Sequence, residues 1–231
     1  MLIKGLQKLT LLDFPDKIAC IVFTGGCNFR CPFCHNASLV LPDRMGDDTV
    51  TEEEFFRFLE SRRGILEGVC VTGGEPTLMP DLAPFLARIK EMGFAVKLDT
   101  NGTRPAVLAA LVEAGLVDYV AMDVKNSLSR YGETVGVPRF DTAPVEESMD
   151  YLLAGHVPYE FRTTLVAGLH TPADMEELGR RIAGAERYFL QTFRDSGDLV
   201  GSCLGALTSA ESDHLLTLVR AYVPNAQIRG E

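Results

Sequence analysis

The sequence predicts an α/β fold in which a mostly parallel sheet is covered by helices. Short β-rich apolar runs alternate with amphipathic helical segments along the whole chain. No linker, low-complexity tract or repeat divides residues 1–231, so a single domain is expected. Repeated strand–helix units imply parallel strands with helices outside. Six units are too few for a closed eight-stranded barrel, which leaves a partial (β/α)6 TIM-like barrel or an open doubly wound sheet.

The strands are predicted from short apolar or β-branched runs. Six runs form the expected sheet and a seventh is a candidate closing strand: Ile18–Phe23, Gly68–Thr72, Ala95–Leu98, Tyr119–Met122, Tyr159–Leu165, Tyr188–Leu190 and Gln227–Arg229. The intervening segments have apolar residues at helical spacing. The first helix begins at Thr51, where Glu54 completes a capping box. The second is entered at Pro80 and ends at Gly93. Four more are expected, around Val107–Val112, Glu146–Leu153, Met175–Ile182 and from Ser209 onward.

The composition excludes several classes of protein. The chain has 231 residues, 46% of them hydrophobic, and a formal net charge of -10. Nucleic-acid binding needs clustered Lys and Arg, so no nucleic-acid partner is expected. The N-terminal segment lacks a signal-peptide core, and no apolar run approaches the roughly 20 residues of a membrane span. We therefore expect a cytoplasmic protein without membrane contact, in which clustered cysteines indicate metal binding or catalysis.

The loop after the first strand carries three closely spaced cysteines. It reads Thr24-Gly-Gly-Cys-Asn-Phe-Arg-Cys-Pro-Phe-Cys-His-Asn, with cysteines at 27, 31 and 34. Three thiolates can hold a [4Fe–4S] cluster that leaves one iron open for another ligand. A zinc site that includes His35 is an alternative, although adjacent Cys34 and His35 chelate one ion poorly. Three unrelated thiols are a second alternative.

Polar and glycine-rich residues follow the other strands. In chain order they are Gly73, Gly74 and Glu75; Asp99, Thr100 and Asn101; Asp123 and Lys125; Arg162; and Gln191. The carboxyl ends of parallel strands meet at one edge of a sheet or barrel, so these residues are expected to share one site with the cysteine loop. Each segment alone is more typical of an ordinary turn or a surface salt bridge.

The cysteine spacing, with aromatic Phe33 just before the third cysteine, resembles the signature of the radical S-adenosylmethionine (SAM) superfamily. The resemblance implies that Cys27, Cys31 and Cys34 are the metal ligands and catalytic residues. It also implies that the open iron chelates the amino and carboxylate groups of SAM. One electron then cleaves SAM to methionine and a 5′-deoxyadenosyl radical, which abstracts hydrogen.

The same resemblance gives roles to the other strand ends. The Gly73–Gly74–Glu75 segment would contact the SAM amino group, and Lys125 would pair with the methionine carboxylate. Asp99, Thr100, Asn101 and Asp123 would line the pocket, with a monovalent cation as an optional ligand, and Arg162 would lie near SAM. His35 is expected to contribute backbone atoms rather than a ligand. Some relatives have His where this chain has Gln191, which leaves the role of Gln191 open.

The opening segment, residues 5–36, resembles the anaerobic ribonucleoside-triphosphate reductase activating proteins, and the likeness continues to the closing Ile-Arg-Gly. It implies that the substrate is a glycine of a partner glycyl radical enzyme, and that flavodoxin or ferredoxin supplies electrons. Three alternatives stay open. They are an activase of another enzyme such as pyruvate formate-lyase, a small-molecule enzyme such as 7-carboxy-7-deazaguanine synthase, and a zinc-binding module without activity.

The remaining cysteines and histidines show no motif. Cys20 and Cys70 fall inside predicted strands and are expected to be buried free thiols. Cys203 lies in a late loop, and its role is open. His156, His170 and His214 have no partnered spacing and are interpreted as surface or hydrogen-bonded residues.

Overall fold

The protein forms one eight-stranded sheet whose strands follow the order of the chain. The structure, a computed structural model, describes residues 1–195 and 197–230. The strands are β1 Ile3–Thr10, β2 Ala19–Thr24, β3 Gly68–Gly73, β4 Ala95–Thr100, β5 Tyr119–Asp123, β6 Tyr159–Leu165, β7 Tyr188–Thr192 and β8 Gln227–Arg229. Strands β2 to β8 are parallel, and β1 is antiparallel to β2. A doubly wound sheet would reverse its strand order at a switch point. The unbroken order therefore confirms the partial-barrel alternative.

Eight helices connect and cover the strands within the described residues. They are α1 Ala37–Val40, α2 Glu52–Glu60, α3 Leu82–Glu91, α4 Pro105–Glu113, α5 Tyr131–Thr134, α6 Ala143–Leu153, α7 Pro172–Arg181 and α8 Ser209–Arg220. The capping box of Thr51 and Glu54 is confirmed. Helix α3 begins at Leu82, two residues after the predicted Pro80, and Gly93 follows its end with φ +89°. None of the described helices is both long and apolar enough to span a lipid bilayer.

The sequence did not predict β1, α1 or α5. Strand β1 lies at one edge of the sheet and, among the residues that the structure describes, pairs only with β2 apart from an isolated bridge between Ile3 and Val50. Its burial does not alternate, because Gln7, Lys8 and Leu9 are all exposed, and its register with β2 shifts twice. An edge strand with this pattern lacks the period of two from which strands are predicted.

Two apolar layers support the sheet. The larger core lies between the outer sheet face and the helices, and it includes Phe55, Leu86 and Leu98. A smaller cluster on the inner face contains Phe14, Ala19, Ile21, Cys70 and Tyr119. Cys20 and Cys70 are both buried free thiols, as predicted.

The inner face of the barrel also carries buried charges. Glu160 of β6 accepts hydrogen bonds from both terminal nitrogens of Arg229, at 2.9 and 3.2 Å, and one from the Tyr119 hydroxyl at 3.1 Å. The Arg229 guanidinium also stacks on Phe189, 3.5 Å from the ring centroid. These contacts fix the closing strand β8 against β6 and β7.

Candidate active site

A pocket of about 310 Å³ opens at the carboxyl edge of the sheet. All fourteen residues predicted for the site line it: Cys27, Cys31, Phe33, Cys34, His35, Gly73, Gly74, Glu75, Asp99, Thr100, Asn101, Asp123, Lys125 and Arg162. Gln191 and Thr192 of β7 and Thr164 of β6 line it as well. The fold therefore brings predicted site residues that are up to 135 residues apart in the chain, from Cys27 to Arg162, around one pocket.

The cysteine loop is held by backbone contacts. Arg30 donates from its guanidinium to the carbonyl oxygens of Cys27 and Phe29, each at 2.7 Å. The backbone N–H of Arg30 donates to the Val135 carbonyl oxygen at 2.8 Å. The segment beyond β5, which contains α5, thus braces the loop from behind. The three thiols are free, Cys31 being buried and Cys27 and Cys34 half-buried.

Burial keeps two of these thiols protonated in the metal-free protein. It raises the pKa of Cys27 to about 11 and that of Cys31 to about 12, with the nearby Lys125 cation partly opposing the shift at Cys31. Metal binding must therefore displace their protons. The described residues include no group of three His, Cys, Asp or Glu side chains arranged around a single metal ion. Cysteine thiolates are the usual ligands of a [4Fe–4S] cluster, so Cys27, Cys31 and Cys34, which line one pocket, would hold one.

Two glycines let the β3 end touch the cysteine loop. The Gly74 N–H donates to the Thr24 carbonyl and the Glu75 N–H to the Gly26 carbonyl, both at 2.8 Å. A Cβ atom on Gly74 would overlap the Gly26 carbonyl oxygen, and Gly73 has φ +117°. Only glycine allows this close approach.

The Glu75 carboxylate faces the protein. The residue is 1% exposed. One carboxylate oxygen accepts from the Thr77 backbone, at 3.1 Å, and from the hydroxyls of Thr77 and Thr100, the latter at 2.8 Å. The other accepts from the Asn101 N–H at 2.7 Å. Burial raises the pKa of Glu75 while these donors oppose the shift. Glu75 thus ties the β3 end to the β4 end, which leaves backbone atoms of this segment to face a ligand.

Asn101 extends the connection to the cysteines. Its side-chain amide donates to the Asn28 side-chain oxygen at 2.9 Å and lies 3.9 Å from the Cys27 sulfur. The Asn28 amide in turn donates to the Thr103 hydroxyl at 2.9 Å. The β4 end is therefore linked through side chains to the first cysteine.

Charged side chains fill the floor of the pocket. Arg162 donates from Nε to Asp123, at 2.8 Å, and from a terminal nitrogen to Asp99, at 3.1 Å. Lys125 contacts the other Asp123 oxygen at 3.0 Å, and Lys97 contacts the other Asp99 oxygen. Burial works against ionisation, but the facing cations outweigh it and hold the pKa of Asp99 and of Asp123 below the ordinary value.

Two residues of this arrangement were not predicted from the sequence. Lys97 is a buried charge between the apolar residues Val96 and Leu98 of β4, a signal that could have found it. His170 is a buried, hydrogen-bonded residue whose ring lies edge-on to Phe33, with centroids 6.3 Å apart. The position of His170 beside the pocket could not be predicted from the spacing of residues in the sequence.

The structure also gives the positions of His35, Gln191 and Cys203. The His35 ring lies edge-on to Phe193, with centroids 5.5 Å apart, while Gln191 lines the pocket. Cys203 is exposed and adopts φ +59°.

A partial parallel barrel with three loop cysteines and a polar pocket at the strand ends defines a cluster-dependent enzyme that binds a small polar cofactor. The chain belongs to the Radical SAM superfamily, whose model matches residues 21–182. It is an enzyme that uses a [4Fe–4S] cluster and SAM.

Known proteins resemble the chain to different extents. A protein of Methanocaldococcus jannaschii named as a glycyl-radical enzyme activating enzyme is 33% identical over 235 residues, covering 99% of this chain and 95% of its own. The 7-carboxy-7-deazaguanine synthase of Koribacter versatilis is 30% identical over 148 residues, 62% of this chain and 60% of its own. A domain of pyruvate-formate lyase-activating enzyme from Bacteroides vulgatus superposes with a TM-score of 0.58 at 19% identity, covering 71% of this chain and 99% of that chain. This last likeness concerns the fold alone.

Proposed function

We propose that this protein is an activase that generates a glycyl radical on a partner enzyme, most specifically on an anaerobic ribonucleoside-triphosphate reductase. One observation carries the general part of the proposal: the similarity to a glycyl-radical enzyme activating enzyme extends over 99% of this chain. The similarity to 7-carboxy-7-deazaguanine synthase covers 62%. The choice of reductase rests on the resemblance of residues 5–36 to reductase activating proteins.

The bound groups would supply the radical chemistry. A [4Fe–4S] cluster held by Cys27, Cys31 and Cys34 would supply the single electron for reductive cleavage of SAM, and SAM would supply the means of removing one hydrogen atom from a glycine Cα of the partner. The protein holds these groups in place. Cys27, Cys31 and Cys34 ligate the cluster, and the metal-bound thiolates replace the protonated thiols of the free protein.

The remaining pocket residues bind and orient SAM. Lys125 pairs with the methionine carboxylate, because its ammonium lines the pocket while also contacting Asp123. Backbone carbonyls of the Gly73–Gly74–Glu75 segment accept from the SAM amino group, since the Glu75 carboxylate is already occupied. The rest of the lining contributes by packing and hydrogen bonding: Phe33, His35, Asp99, Thr100, Asn101, Asp123 and Arg162.

The protein substrate would enter where the barrel is open. Strands β1 and β8 form the two ends of the sheet and do not pair with each other in the described part of the chain. A loop of a partner enzyme would enter from this open side, and glycine offers no side chain that blocks its Cα. A flavodoxin or ferredoxin in the cytoplasm would supply the electron. In this proposal residues 1–231 act as a single domain.

The test is an anaerobic assay with defined partners. The reconstituted protein, SAM and reduced flavodoxin are mixed with an anaerobic ribonucleotide reductase or with pyruvate formate-lyase, and glycyl radicals are measured by electron paramagnetic resonance. A radical on the reductase, lost when the substrate glycine near its C-terminus is replaced by alanine, is expected. A radical on pyruvate formate-lyase alone would redirect the proposal to that partner. SAM cleavage that depends on a small deazapurine precursor, with no radical on either protein, would overturn it.

A further inference from the structure

The two carboxylates on the pocket floor have all four oxygens in contact with protein cations. Asp99 contacts Lys97 through one oxygen and Arg162 through the other. Asp123 contacts Arg162 at 2.8 Å through one oxygen and Lys125 at 3.0 Å through the other. Each carboxylate is therefore bridged on both sides by side chains of the chain itself.

Lys97 is the unusual member of this group. It projects from the middle of β4 onto the inner face of the barrel and is 1% exposed. Its ammonium has Asp99 as an ion-pair partner. Burying a lysine has a large desolvation cost unless its ammonium is paired. The ion pair with Asp99 offsets this cost and supplies Asp99 with a positive charge.

The charge count leaves no need for a further cation. Lys97, Lys125 and Arg162 carry three positive charges, and Asp99 and Asp123 carry two negative charges. A monovalent ion between the carboxylates would add a positive charge to a largely buried site, and it would have to compete with the ion pairs already formed.

The resemblance in sequence allowed a monovalent cation among Asp99, Thr100 and Asp123, and the residues present do not fit one. We infer that Lys97 takes the place of that ion, so that SAM binding by this protein does not require Na⁺ or K⁺. Lys97 is a positioning residue here, because it pairs with Asp99 without lining the pocket itself. Arg162 and Lys125 are then the cations that line the pocket. The inference rests on the proposed use of this pocket for SAM.

The test measures SAM binding rather than turnover. The Kd of SAM is determined for the anaerobically reconstituted natural protein in tetramethylammonium, Na⁺ and K⁺ salts at equal ionic strength. Less than about a twofold difference among the three media is expected. The same measurement on Lys97→Met is expected to show binding weakened about tenfold or more in tetramethylammonium and partly restored by K⁺ or Na⁺, because the vacated position can then accept an ion.

Lys90→Met is the matched control. Lys90 forms an ion pair with Asp118, at 2.5 and 2.7 Å, and does not line the pocket. Its substitution should leave both the Kd and its indifference to the salt unchanged. If Lys97→Met does not fold, the natural protein alone decides the question.

Saturable tightening of SAM binding by Na⁺ or K⁺ in the natural protein would overturn the inference and leave the proposed function standing. Weakened binding in Lys97→Met that no ion restores would also count against it, because a merely structural role predicts that result. Failure of the natural protein to bind SAM in any medium would instead overturn the proposed function together with the inference.

Discussion

The imidazole of His170 donates a hydrogen bond from Nε2 to the backbone carbonyl oxygen of Lys125, 2.8 Å away. The tautomer follows from the other ring nitrogen, because Nδ1 accepts from the Val166 N–H at 3.0 Å. The Lys125 N–H is within 3.3 Å of the Tyr131 hydroxyl oxygen, which accepts its hydrogen bond. Both polar groups of the Lys125 backbone are thereby held by buried side chains, next to the pocket that its ammonium lines.

We expect His170→Asn to weaken SAM binding without preventing cluster assembly. The shorter side chain can still accept from Val166 but cannot reach the Lys125 carbonyl, which leaves a buried acceptor unpaired at a cost of about 1–3 kcal/mol. The measurements are the free energy of unfolding in urea and the Kd of SAM. His156→Asn is the control, because His156 is exposed and stacks only on Tyr151 in the described contacts. Equal SAM affinity in the two variants would show that His170 does not contribute to SAM binding.

The same histidine predicts a pH dependence of stability. Burial lowers the pKa of His170 below its ordinary value of 6.5. The unfolded chain therefore takes up a proton at a higher pH than the folded protein. The contribution of His170 to the free energy of unfolding is fully present above pH 6.5. It is lost as the pH falls from 6.5 through the pKa that His170 has in the folded protein. Urea unfolding between about pH 5 and 8 should show this loss, and His170→Gln should reduce it. A variant with an unchanged slope would contradict the assignment.

Gly74→Ala should separate the β3 end from the cysteine loop. The new Cβ would overlap the Gly26 carbonyl oxygen, which belongs to backbone and cannot rotate away. We expect lower iron incorporation and a loss of stability of at least about 1 kcal/mol. Iron analysis after reconstitution and thermal unfolding test this result. Gly46→Ala is the matched control because no heavy atom lies within 4 Å of its added Cβ. Normal iron content in the Gly74 variant would show that the contact is dispensable.

Alanine at Cys27, Cys31 or Cys34 is expected to abolish SAM cleavage, because each thiol supplies one of the three protein ligands to the cluster. The natural protein should hold about four irons per chain, and the variants should form no stable cluster. Iron analysis and the yield of 5′-deoxyadenosine measure the two effects. Cys203→Ala, at an exposed thiol, should behave as the natural protein does. Reductive cleavage retained in any of the three variants would count against the ligand assignment.

Lys125→Ala should weaken SAM binding while the cluster still assembles. A charge-assisted hydrogen bond contributes about 1.5–3 kcal/mol, so the Kd should rise roughly tenfold or more. Equilibrium binding to the reconstituted variant, together with its iron content, distinguishes the two effects. Lys90→Ala serves as the control at an ion pair outside the pocket. Unchanged SAM affinity would show that Lys125 does not bind SAM. A loss of iron would show that Lys125 is needed instead for assembly of the cluster.

The sequence by itself determined the parallel sheet, the position of its main strands in the chain and the set of residues at their carboxyl ends. These features depend on local signals: apolar runs, the Thr51–Glu54 capping box, glycine turns and the spacing of three cysteines. Because parallel strands all end at one edge, the shared pocket followed from the strand assignment alone.

Only the tertiary structure decided how the polar groups are paired. Glu75 and Asp99 come from neighbouring strand ends, yet one carboxylate faces the protein interior and the other meets Lys97 and Arg162. His170 reaches Lys125 from 45 residues away. Such pairings depend on the distances between side chains of different elements and on how far each is buried. Those distances are set by the packing of the whole barrel, so no local pattern in the sequence encodes them.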